Sequence, residues 1–250
     1  MIRLKTRQEA DLMRRAGAIA AAARSLAGNM AVPGVTTLEI DKAVNDFIRK
    51  NGAVPTFLNY NGYPASVCIS VNDEVIHGIP GKRVLRDGDI VSIDVGATYE
   101  GYVGDCAATY VAGTASDEAK KLIQVTRQSF FEAMKFARVG YRISDISHAV
   151  QQYAEENGFS VVREYVGHGV GARMHEDPEV PNFGRPGHGP RLAAGMTLAV
   201  EPMINEGGAA VKVLPDGWTV KTADGSLSAH YENTILITSG DPEILTAPEA

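Results

Sequence analysis

The sequence predicts an α/β protein made of two similar halves. Apolar residues at helical spacing give way to glycine-punctuated segments rich in β-branched residues, and the order of two helices followed by strands occurs twice in 250 residues. No Pro/Ser-rich linker lies near residue 114, so halves of about 7–113 and 114–250 are expected to form one domain, residues 1–250. At an offset of 106 the two copies match at several positions: Gly34 with Gly140, Ile40 with Ile146, Ala43 with Ala149, Val44 with Val150, and Asn51-Gly52 with Asn157-Gly158.

The individual elements have recognisable start and stop signals. The segments VCISV, IVSIDVG and DCAATYVAG, between residues 66 and 113, predict strands. Helical spacing returns after Gly113, and the chain beyond residue 158 is again predicted to form strands and turns. The predicted helix boundaries are the capping box Thr6-x-x-Glu9 and Met30, the capping box Thr36-x-x-Glu39 and Asn51-Gly52, and a last stop at Asn157-Gly158.

The composition excludes several classes of protein. With 44% hydrophobic and 22% charged residues the chain is too balanced for a disordered one, and a net charge of -6 argues against general binding to nucleic-acid phosphates. No apolar run approaches the ~20 residues of a membrane span, and the N-terminal segment lacks the apolar core of a signal peptide. A cytoplasmic location is therefore expected, with Cys68 and Cys106 as free thiols.

Four acidic residues lie in apolar, strand-like sequence: Asp94, Asp105, Glu201 and Glu232. Positions 94 and 105 have their midpoint at 99.5, in the turn-like segment 98–101, so a hairpin there makes the two aspartates direct cross-strand neighbours. Positions 201 and 232 have theirs at 216.5, on the turn dipeptide Asp216-Gly217. A single bulge in so long a hairpin changes that register.

Four carboxylates buried together need shared protons, a basic residue or metal ions, whereas four solvent-facing acids need none of these. His168, in the glycine-rich run VGHGVGARMHEDP, is a candidate nitrogen ligand, although a lone histidine also serves simpler structural roles. Carboxylate-rich ligation without cysteine suits Mn, Fe or Co, and two divalent cations neutralise four carboxylates. Phosphate-loop, dinucleotide-binding, HExxH and GxSxG motifs are absent, so a two-metal hydrolytic site is the expected chemistry.

At these residues the sequence resembles the type I methionine aminopeptidases, metallopeptidases of the pita-bread fold. The resemblance implies two pseudo-symmetric halves that share an antiparallel sheet flanked by helices. It also implies removal of the N-terminal methionine from nascent proteins and peptides with a small second residue. The likeness covers nearly the whole chain and is carried by NYNGYPASVCISVNDEVIHGIP (59–80), IVSIDVGATYEGYVGDCAATY (90–110), YVGHGVGARMHEDPEVPN (165–182), MTLAVEPMI (196–204) and SAHYENTILIT (228–238).

The resemblance also implies a role for each ligand candidate. Asp94 would bind one metal ion, Asp105 and Glu232 would bridge both, and His168 and Glu201 would complete the shell of the other. Glu201 would in addition carry a proton from the attacking water toward the leaving amine. The cofactor implied is a pair of divalent ions, with Co, Mn, Fe and Zn as the candidates.

Further residues are assigned to the substrate by the same resemblance. His175 is expected to donate to the developing oxyanion and His77 to contact the scissile or the following amide. Met174 stands where many relatives have an aromatic residue, and His230 receives no role. The methionine pocket is expected to be lined by Tyr60, Tyr63, Cys68 and Trp218, which as an alternative are ordinary core residues.

Two rival functions remain at this point. A proline-directed peptidase of the same fold, such as a prolidase, usually carries an extra N-terminal domain, for which residues 1–5 leave no room. A metal-free peptide-binding module on the same scaffold is expected to lack the ligand residues. The partners implied are nascent polypeptide N-termini met at the ribosome, with a monomeric enzyme that touches neither nucleic acid nor membrane. The chain's own start, Met1-Ile2, is expected to resist processing because Ile2 is large.

Overall fold

The structure, a computed structural model, describes residues 1–247. Its helices are α1 (Arg7–Met30), α2 (Thr37–Lys50), α3 (Asp117–Met134) and α4 (Ile143–Glu156), with a short 3-10 helix at Tyr60–Gly62. Its strands are β1 (Val54–Pro55), β2 (Cys68–Val71), β3 (Glu74–Ile76), β4 (Ile90–Tyr99), β5 (Tyr102–Val111), β6 (Ser160–Val161), β7 (Gly167–Gly169), β8 (Glu176–Val180), β9 (Thr197–Val200), β10 (Met203–Asn205), β11 (Val211–Val213), β12 (Val220–Thr222), β13 (Ser228–His230), β14 (Asn233–Leu236) and β15 (Glu243–Ile244).

The helix boundaries follow the predicted signals. The backbone N–H of Thr6 donates to the Glu9 carboxylate at 2.7 Å, and that of Thr36 donates to the Glu39 carboxylate at 2.8 Å, while each threonine hydroxyl accepts in return. Both predicted capping boxes are thus confirmed, and they satisfy N–H groups that a helix start leaves unpaired. The helix α2 ends just before Asn51, and Gly52 follows with a φ of 75° that glycine adopts without strain.

The offset of 106 residues recurs in the backbone. The helix α4 begins and ends 106 positions after α2, and β6 lies 106 positions after β1. Beyond β6 the two copies diverge, because the second half continues into nine further strands, against four after β1 in the first. The similarity of the halves is therefore strongest where their second helix leads into the sheet.

Strand pairing in the described residues is antiparallel throughout. One sheet of the first half has the order β1-β4-β2 with β5 on β4, and one of the second half has the order β15-β14-β9-β7-β8. Two smaller sheets, β13-β10-β6 and β11-β12-β3, complete the set, and β3 in the latter comes from the first half. The predicted α/β class with antiparallel sheets and flanking helices is confirmed.

The two halves also meet through the main chain of Ala107 and Glu232. The Glu232 N–H donates to the Ala107 carbonyl at 2.9 Å, and the Ala107 N–H donates to the Glu232 carbonyl at 3.2 Å. We call this reciprocal pair the central rung. One apolar core packs under α1 and α2, a second packs under α3 and α4, and a third cluster contains buried residues of both halves, Cys68 and Met174 among them. Within residues 1–247 no helix combines the length and the apolarity needed to cross a membrane.

The register predicted for the aspartate hairpin is wrong by two residues. Asp94 lies opposite Ala107, and Asp105 lies opposite Gly96. The reason is the turn, which is centred on Glu100-Gly101, with φ of 46° and 85°. Positive φ at both central residues is the geometry that suits a two-residue hairpin. Because the shift is an even number of residues, both carboxylates still lie on the same face of the sheet.

The register predicted for the glutamate hairpin is confirmed. The pairs Val200 with Asn233, Met203 with His230 and Val213 with Val220 all share the midpoint 216.5. Glu201 and Glu232 lie between the first two of these pairs, where both strands are interrupted. The hairpin thus brings its two acids to the same level of the sheet even though neither is in a regular strand.

Candidate metal centre and substrate pocket

The structure brings all the predicted site residues together around one cavity of about 280 Å³. Asp94 and Asp105 come from β4 and β5 of the first half, and His168 comes from β7 of the second. Glu201 directly follows β9, and Glu232 directly precedes β14. The cavity is also lined by His77, His175, Tyr60, Tyr63, Cys68 and Trp218.

The ligand candidates are close enough to share metal ions. Ligand atoms of Asp105, His168 and Glu232 all lie within 4.8 Å of one another. The Nε2 atom of His168 is 3.7 Å from Asp105 Oδ2 and 3.6 Å from Glu201 Oε1. Asp94 joins the group beside Asp105, with which its carboxyl interacts directly. Four carboxyl groups and one imidazole therefore converge on one wall of the cavity.

The carboxylates lack the partners that buried acids normally have. Asp94 Oδ1, Asp105 Oδ1 and Glu232 Oε1 are buried without a hydrogen-bond partner in the described part of the chain. Burial, and then repulsion by neighbouring carboxylates, raises the pKa of Asp94, Glu201 and Glu232 well above the usual range. Divalent cations supply the missing partners and remove the repulsion, so these residues fit a metal centre. An oxygen-rich set with one imidazole suits ions such as Mn, Fe or Co.

His168 presents a free nitrogen lone pair to this group. Its Nδ1 lies 2.8 Å from the Gly169 carbonyl oxygen, and because a carbonyl only accepts, Nδ1 carries the proton and Nε2 does not. Burial lowers the pKa of His168 to about 4, which keeps the ring neutral near pH 7. A neutral imidazole with an unprotonated Nε2 is the form that binds a metal.

The glycines around His168 explain how β7 fits into its sheet. A Cβ atom at Gly167 would lie 2.4 Å from the Ala199 carbonyl oxygen, and one at Gly169 would lie 2.2 Å from that of Asp177. The strand β7 runs between β8 and β9, so larger residues at either position would push it away from its neighbours. The GHG run noted in the sequence thus places His168 on an interior strand of a five-stranded sheet.

His175 is held on both sides. Its Nδ1 lies 2.7 Å from the Tyr60 hydroxyl, and its ring centroid lies 4.3 Å from that of His168. The next residue, Glu176, forms a buried ion pair with Lys5 at 2.6 Å and also accepts from the Arg173 N–H. These contacts fix the backbone and the ring of His175 beside the candidate metal ligands.

His77 has a strained backbone, with a φ of 59° that residues other than glycine seldom adopt. Its ring packs edge-on against Tyr165 and Trp218, at centroid distances of 5.9 Å and 6.3 Å. Burial lowers the pKa of His77 to about 4, so the ring is neutral near pH 7. A strained, neutral, aromatic-packed imidazole at a cavity wall can donate or accept a hydrogen bond to a peptide group.

The rest of the cavity wall is mainly apolar. Tyr63 packs edge-on against Trp218 at 5.2 Å, and its hydroxyl donates to the Gly78 carbonyl at 2.9 Å. Cys68 lies directly opposite Asp94 in the β2–β4 pairing, and burial raises the pKa of its thiol, which stays neutral. The lining also includes residues to which the sequence assigned no pocket role: Phe57, Asn61, Ile76, Tyr165, Val166 and Met174.

His230, which received no role from the sequence, lies beside the candidate metal ligands. Its Nε2 is 3.9 Å from both Glu201 Oε2 and Glu232 Oε2 and has no hydrogen-bond partner in the described residues. Burial lowers the pKa of its ring to about 3, so the ring is neutral. The sequence did contain a signal for this placement. His230 is two residues before Glu232, and alternate residues of an extended chain point to the same side.

Comparison with known proteins agrees with this geometry. The pattern that describes metallopeptidase family M24 matches residues 11–239. Methionine aminopeptidase of Clostridium perfringens is 57% identical over 246 residues, covering 98% of this chain and 99% of that protein. Methionine aminopeptidase 1 of Bacillus subtilis is 52% identical, with the same coverage of both chains.

Solved structures give the same result. The crystal structure of methionine aminopeptidase from Thermotoga maritima has a TM-score of 0.98 at 48% identity, covering 100% of both chains. Prolidase from Pyrococcus furiosus has a TM-score of 0.77 at 23% identity and shares the fold, with 66% of its chain covered. The resemblance and the pita-bread fold predicted from the sequence are confirmed. With relatives of this identity along its full length, the chain belongs to metallopeptidase family M24, among the methionine aminopeptidases.

Proposed function

We propose that this methionine aminopeptidase uses two divalent ions held in the cavity and acts on chains whose second residue is small. The observation that carries the proposal is the convergence of four acids, one neutral imidazole and an apolar pocket around about 280 Å³. Four carboxylates carry the charge that two divalent ions balance. The candidate ions are those that carboxylate and imidazole ligands bind well: Mn, Fe, Co or Zn.

The five candidate ligands would divide between the two ions. Asp94 would hold one ion, His168 and Glu201 would hold the other, and Asp105 and Glu232 would serve both. One distance supports the central position of Asp105 and Glu232. The ligand atoms of these two residues and of His168 all lie within 4.8 Å of one another. Bound divalent ions supply Lewis acidity, which activates water and polarises the scissile carbonyl.

The protein's own groups perform the remaining steps. Glu201, which lines the cavity, accepts a proton from the attacking water and delivers it to the leaving amine. His175 donates from Nε2 to the developing oxyanion, which requires Tyr60 to donate to Nδ1 across the observed 2.7 Å contact. His77 binds the scissile or following amide.

The methionine side chain is placed against Tyr60, Tyr63, Cys68 and Trp218. Polarisable rings and a neutral thiol suit a thioether, and the hydroxyl of Tyr63 is already occupied by a carbonyl, which leaves its ring as the contact surface. Selectivity for a small second residue follows if the cavity narrows beyond the scissile bond.

A single copy of the chain contains every group in this proposal. Asp94 and Asp105 come from the half at about 7–113, and the other ligands come from the half at about 114–250, so we propose one catalytic domain that works as a monomer. The substrates proposed are nascent polypeptide N-termini at the ribosome, excluding the chain's own Met1-Ile2. An intact-mass measurement that lacks Met1 would contradict the last point.

The test is hydrolysis of a Met-Ala-Ser peptide by metal-free enzyme supplied in turn with Mn²⁺, Fe²⁺, Co²⁺ and Zn²⁺. Cleavage that depends on added metal and leaves Met-Leu and X-Pro peptides intact is the expected result. Preferential X-Pro cleavage would support a proline-directed peptidase. Two results together would support a metal-free binding module. The peptide would stay uncleaved with every metal, and the wild type would bind no more metal than an Asp94→Asn variant binds.

A further inference from the structure

Arg24 is a buried cation beside the proposed metal centre that no catalytic step uses. It lies on α1 with 5% of its surface exposed. One terminal nitrogen, Nη1, lies 3.1 Å from the Glu232 carbonyl oxygen, 3.3 Å from that of Ala107 and 3.3 Å from Asn233 Oδ1. The guanidinium therefore donates to both carbonyls of the central rung.

The central rung also joins two main-chain segments that carry proposed metal ligands, one from each half. Glu232 is itself a ligand, Ala107 lies directly opposite Asp94, and Asp105 is two residues before Ala107. Asp105 is tied to the second half as well, since its N–H donates to the Thr234 hydroxyl at 3.1 Å and its carbonyl accepts from that hydroxyl at 2.9 Å. Arg24 thus contacts β5, which carries Asp105, and the segment that carries Glu232.

Arg24 keeps its charge without a close ion pair. Its Nε has no hydrogen-bond partner in the described residues, and its donations go to carbonyl and amide oxygens. Burial acts to lower the pKa of the guanidinium, and nearby ionisable groups more than reverse that effect: Cys106, Tyr110, Tyr231 and Glu232. A buried cation without a paired carboxylate is costly unless nearby negative charge stabilises it. The carboxyl of Asp94 interacts with this charge as well, because Arg24 acts to lower the Asp94 pKa.

We propose that Arg24 is a resident cation of the metal centre, whose charge, held beside the central rung, offsets the mutual repulsion of the carboxylates until divalent ions bind. The inference rests on the proposed metal binding. Once the ions are present they supply the positive charge, and Arg24 then repels them. Arg24 should therefore stabilise the metal-free enzyme more than the loaded one, and by linkage it should weaken metal binding.

The experiment compares Arg24→Met and Arg24→Lys with the wild type. Arg15→Met is the matched control, because Arg15 lies on the same helix but is exposed. Thermal unfolding is recorded in EDTA and in saturating Mn²⁺, and the Mn²⁺ affinity is measured by calorimetry. The Tm of Arg24→Met is expected to fall further below that of the wild type in EDTA than in Mn²⁺. This variant should also bind Mn²⁺ about tenfold more tightly than the wild type, which is the scale expected for one charge acting through a partly screened interior. Arg24→Lys, which keeps the positive charge, should bind Mn²⁺ as the wild type does, and Arg15→Met should match the wild type in every measurement.

Equal losses of Tm in EDTA and Mn²⁺, or weaker Mn²⁺ binding, would overturn the inference, because packing alone predicts them. If Arg24→Met fails to fold even with Mn²⁺, Arg24→Lys carries the test: unchanged Mn²⁺ affinity supports the role of the charge, and lost affinity overturns it. A wild type whose Tm does not respond to any divalent metal would overturn the metal proposal itself, and this inference with it.

Discussion

The two acidic hairpins reach the same cavity by different routes. The hairpin of Asp94 and Asp105 is a continuous ten-residue ladder closed by a two-residue turn, and its carboxylates are diagonal neighbours on one face. The hairpin of Glu201 and Glu232 is longer, and its ladder is interrupted at both acids. Asp94 and Asp105 are thus placed by their own strands, whereas Glu232 takes its main-chain partner, Ala107, from the other half.

This difference implies that the two hairpins respond differently to metal. The aspartate hairpin is held by the pairing of its own two strands, so it should keep its shape with or without metal. The glutamate hairpin leaves regular pairing where its acids lie, so the position of Glu232 depends on the central rung. The predictions below, ordered from the largest effect to the smallest, test that contrast.

The largest effect is expected at a ligand from each hairpin. Asp105→Asn should lower kcat by about 10³-fold or more and abolish binding of one ion, since the Lewis-acid contribution is several kcal/mol. Glu201→Gln should lower kcat by about 10²-fold, the scale of a lost acid-base group, and retain more metal than Asp105→Asn. Metal content per chain and kcat on Met-Ala-Ser check both. Equal metal loss in the two variants would contradict the distinct role of Glu201.

A loss smaller than that of Asp105→Asn is expected at His175, which is proposed to face the oxyanion. His175→Gln should lower kcat by about 10²-fold and leave the metal content unchanged, because it removes one hydrogen-bond donor and no ligand. His148→Gln is the control, since His148 lies on α4 outside the cavity and contacts the Gly184 carbonyl. If His175→Gln lost metal in proportion to activity, His175 would belong to the metal shell.

Signals that are local in the chain were predictable from the sequence. The capping boxes at Thr6 and Thr36 and the midpoint of the glutamate hairpin all depend on residues a few positions apart or on one strong turn dipeptide. The aspartate register was missed because Glu100, which no rule marks as a turn residue, adopts a left-handed conformation with φ 46°.

Contacts between distant parts of the chain were not predictable. No sequence motif marks Arg24 as a buried cation, and its partners lie 83 and 208 positions away. The ion pair of Lys5 with Glu176 spans 171 positions, and neither residue carries a motif of its own. Such contacts follow from how the halves pack, which a single sequence does not encode in a short pattern.

A further loss, smaller than that at His175, is expected from Tyr60→Phe. Removing the hydroxyl frees His175 Nδ1, so kcat should fall by about tenfold, the value of roughly one hydrogen bond, with little change in KM. Tyr153→Phe, on α4 and away from the cavity, should leave both parameters unchanged. A rise in KM with unchanged kcat would instead assign Tyr60 to methionine binding alone.

The smallest effect is expected from alanine substitutions in the turns of the two acidic hairpins. Gly101 and Gly217 have φ of 85° and 78°, and no atom lies within 4 Å of a Cβ added at either, so alanine there costs backbone strain alone. Gly101→Ala should lower the free energy of unfolding by about 1–2 kcal/mol, and Gly217→Ala by less, because a two-residue turn cannot relax. Urea unfolding of both variants in Mn²⁺ measures the difference. A larger cost at Gly217 would contradict the rigidity assigned to the first hairpin.

The central claim, that five residues from both hairpins and β7 hold two divalent ions for methionine removal, has a direct test. Metal-free enzyme is titrated with Mn²⁺ while the ions bound per chain and the rate of Met-Ala-Ser hydrolysis are both recorded, beside Asp94→Asn. The account predicts no hydrolysis without metal, a rate that saturates as binding approaches two ions per chain, and lower occupancy in Asp94→Asn. Full activity in EDTA, or equal binding by the wild type and Asp94→Asn, would contradict it.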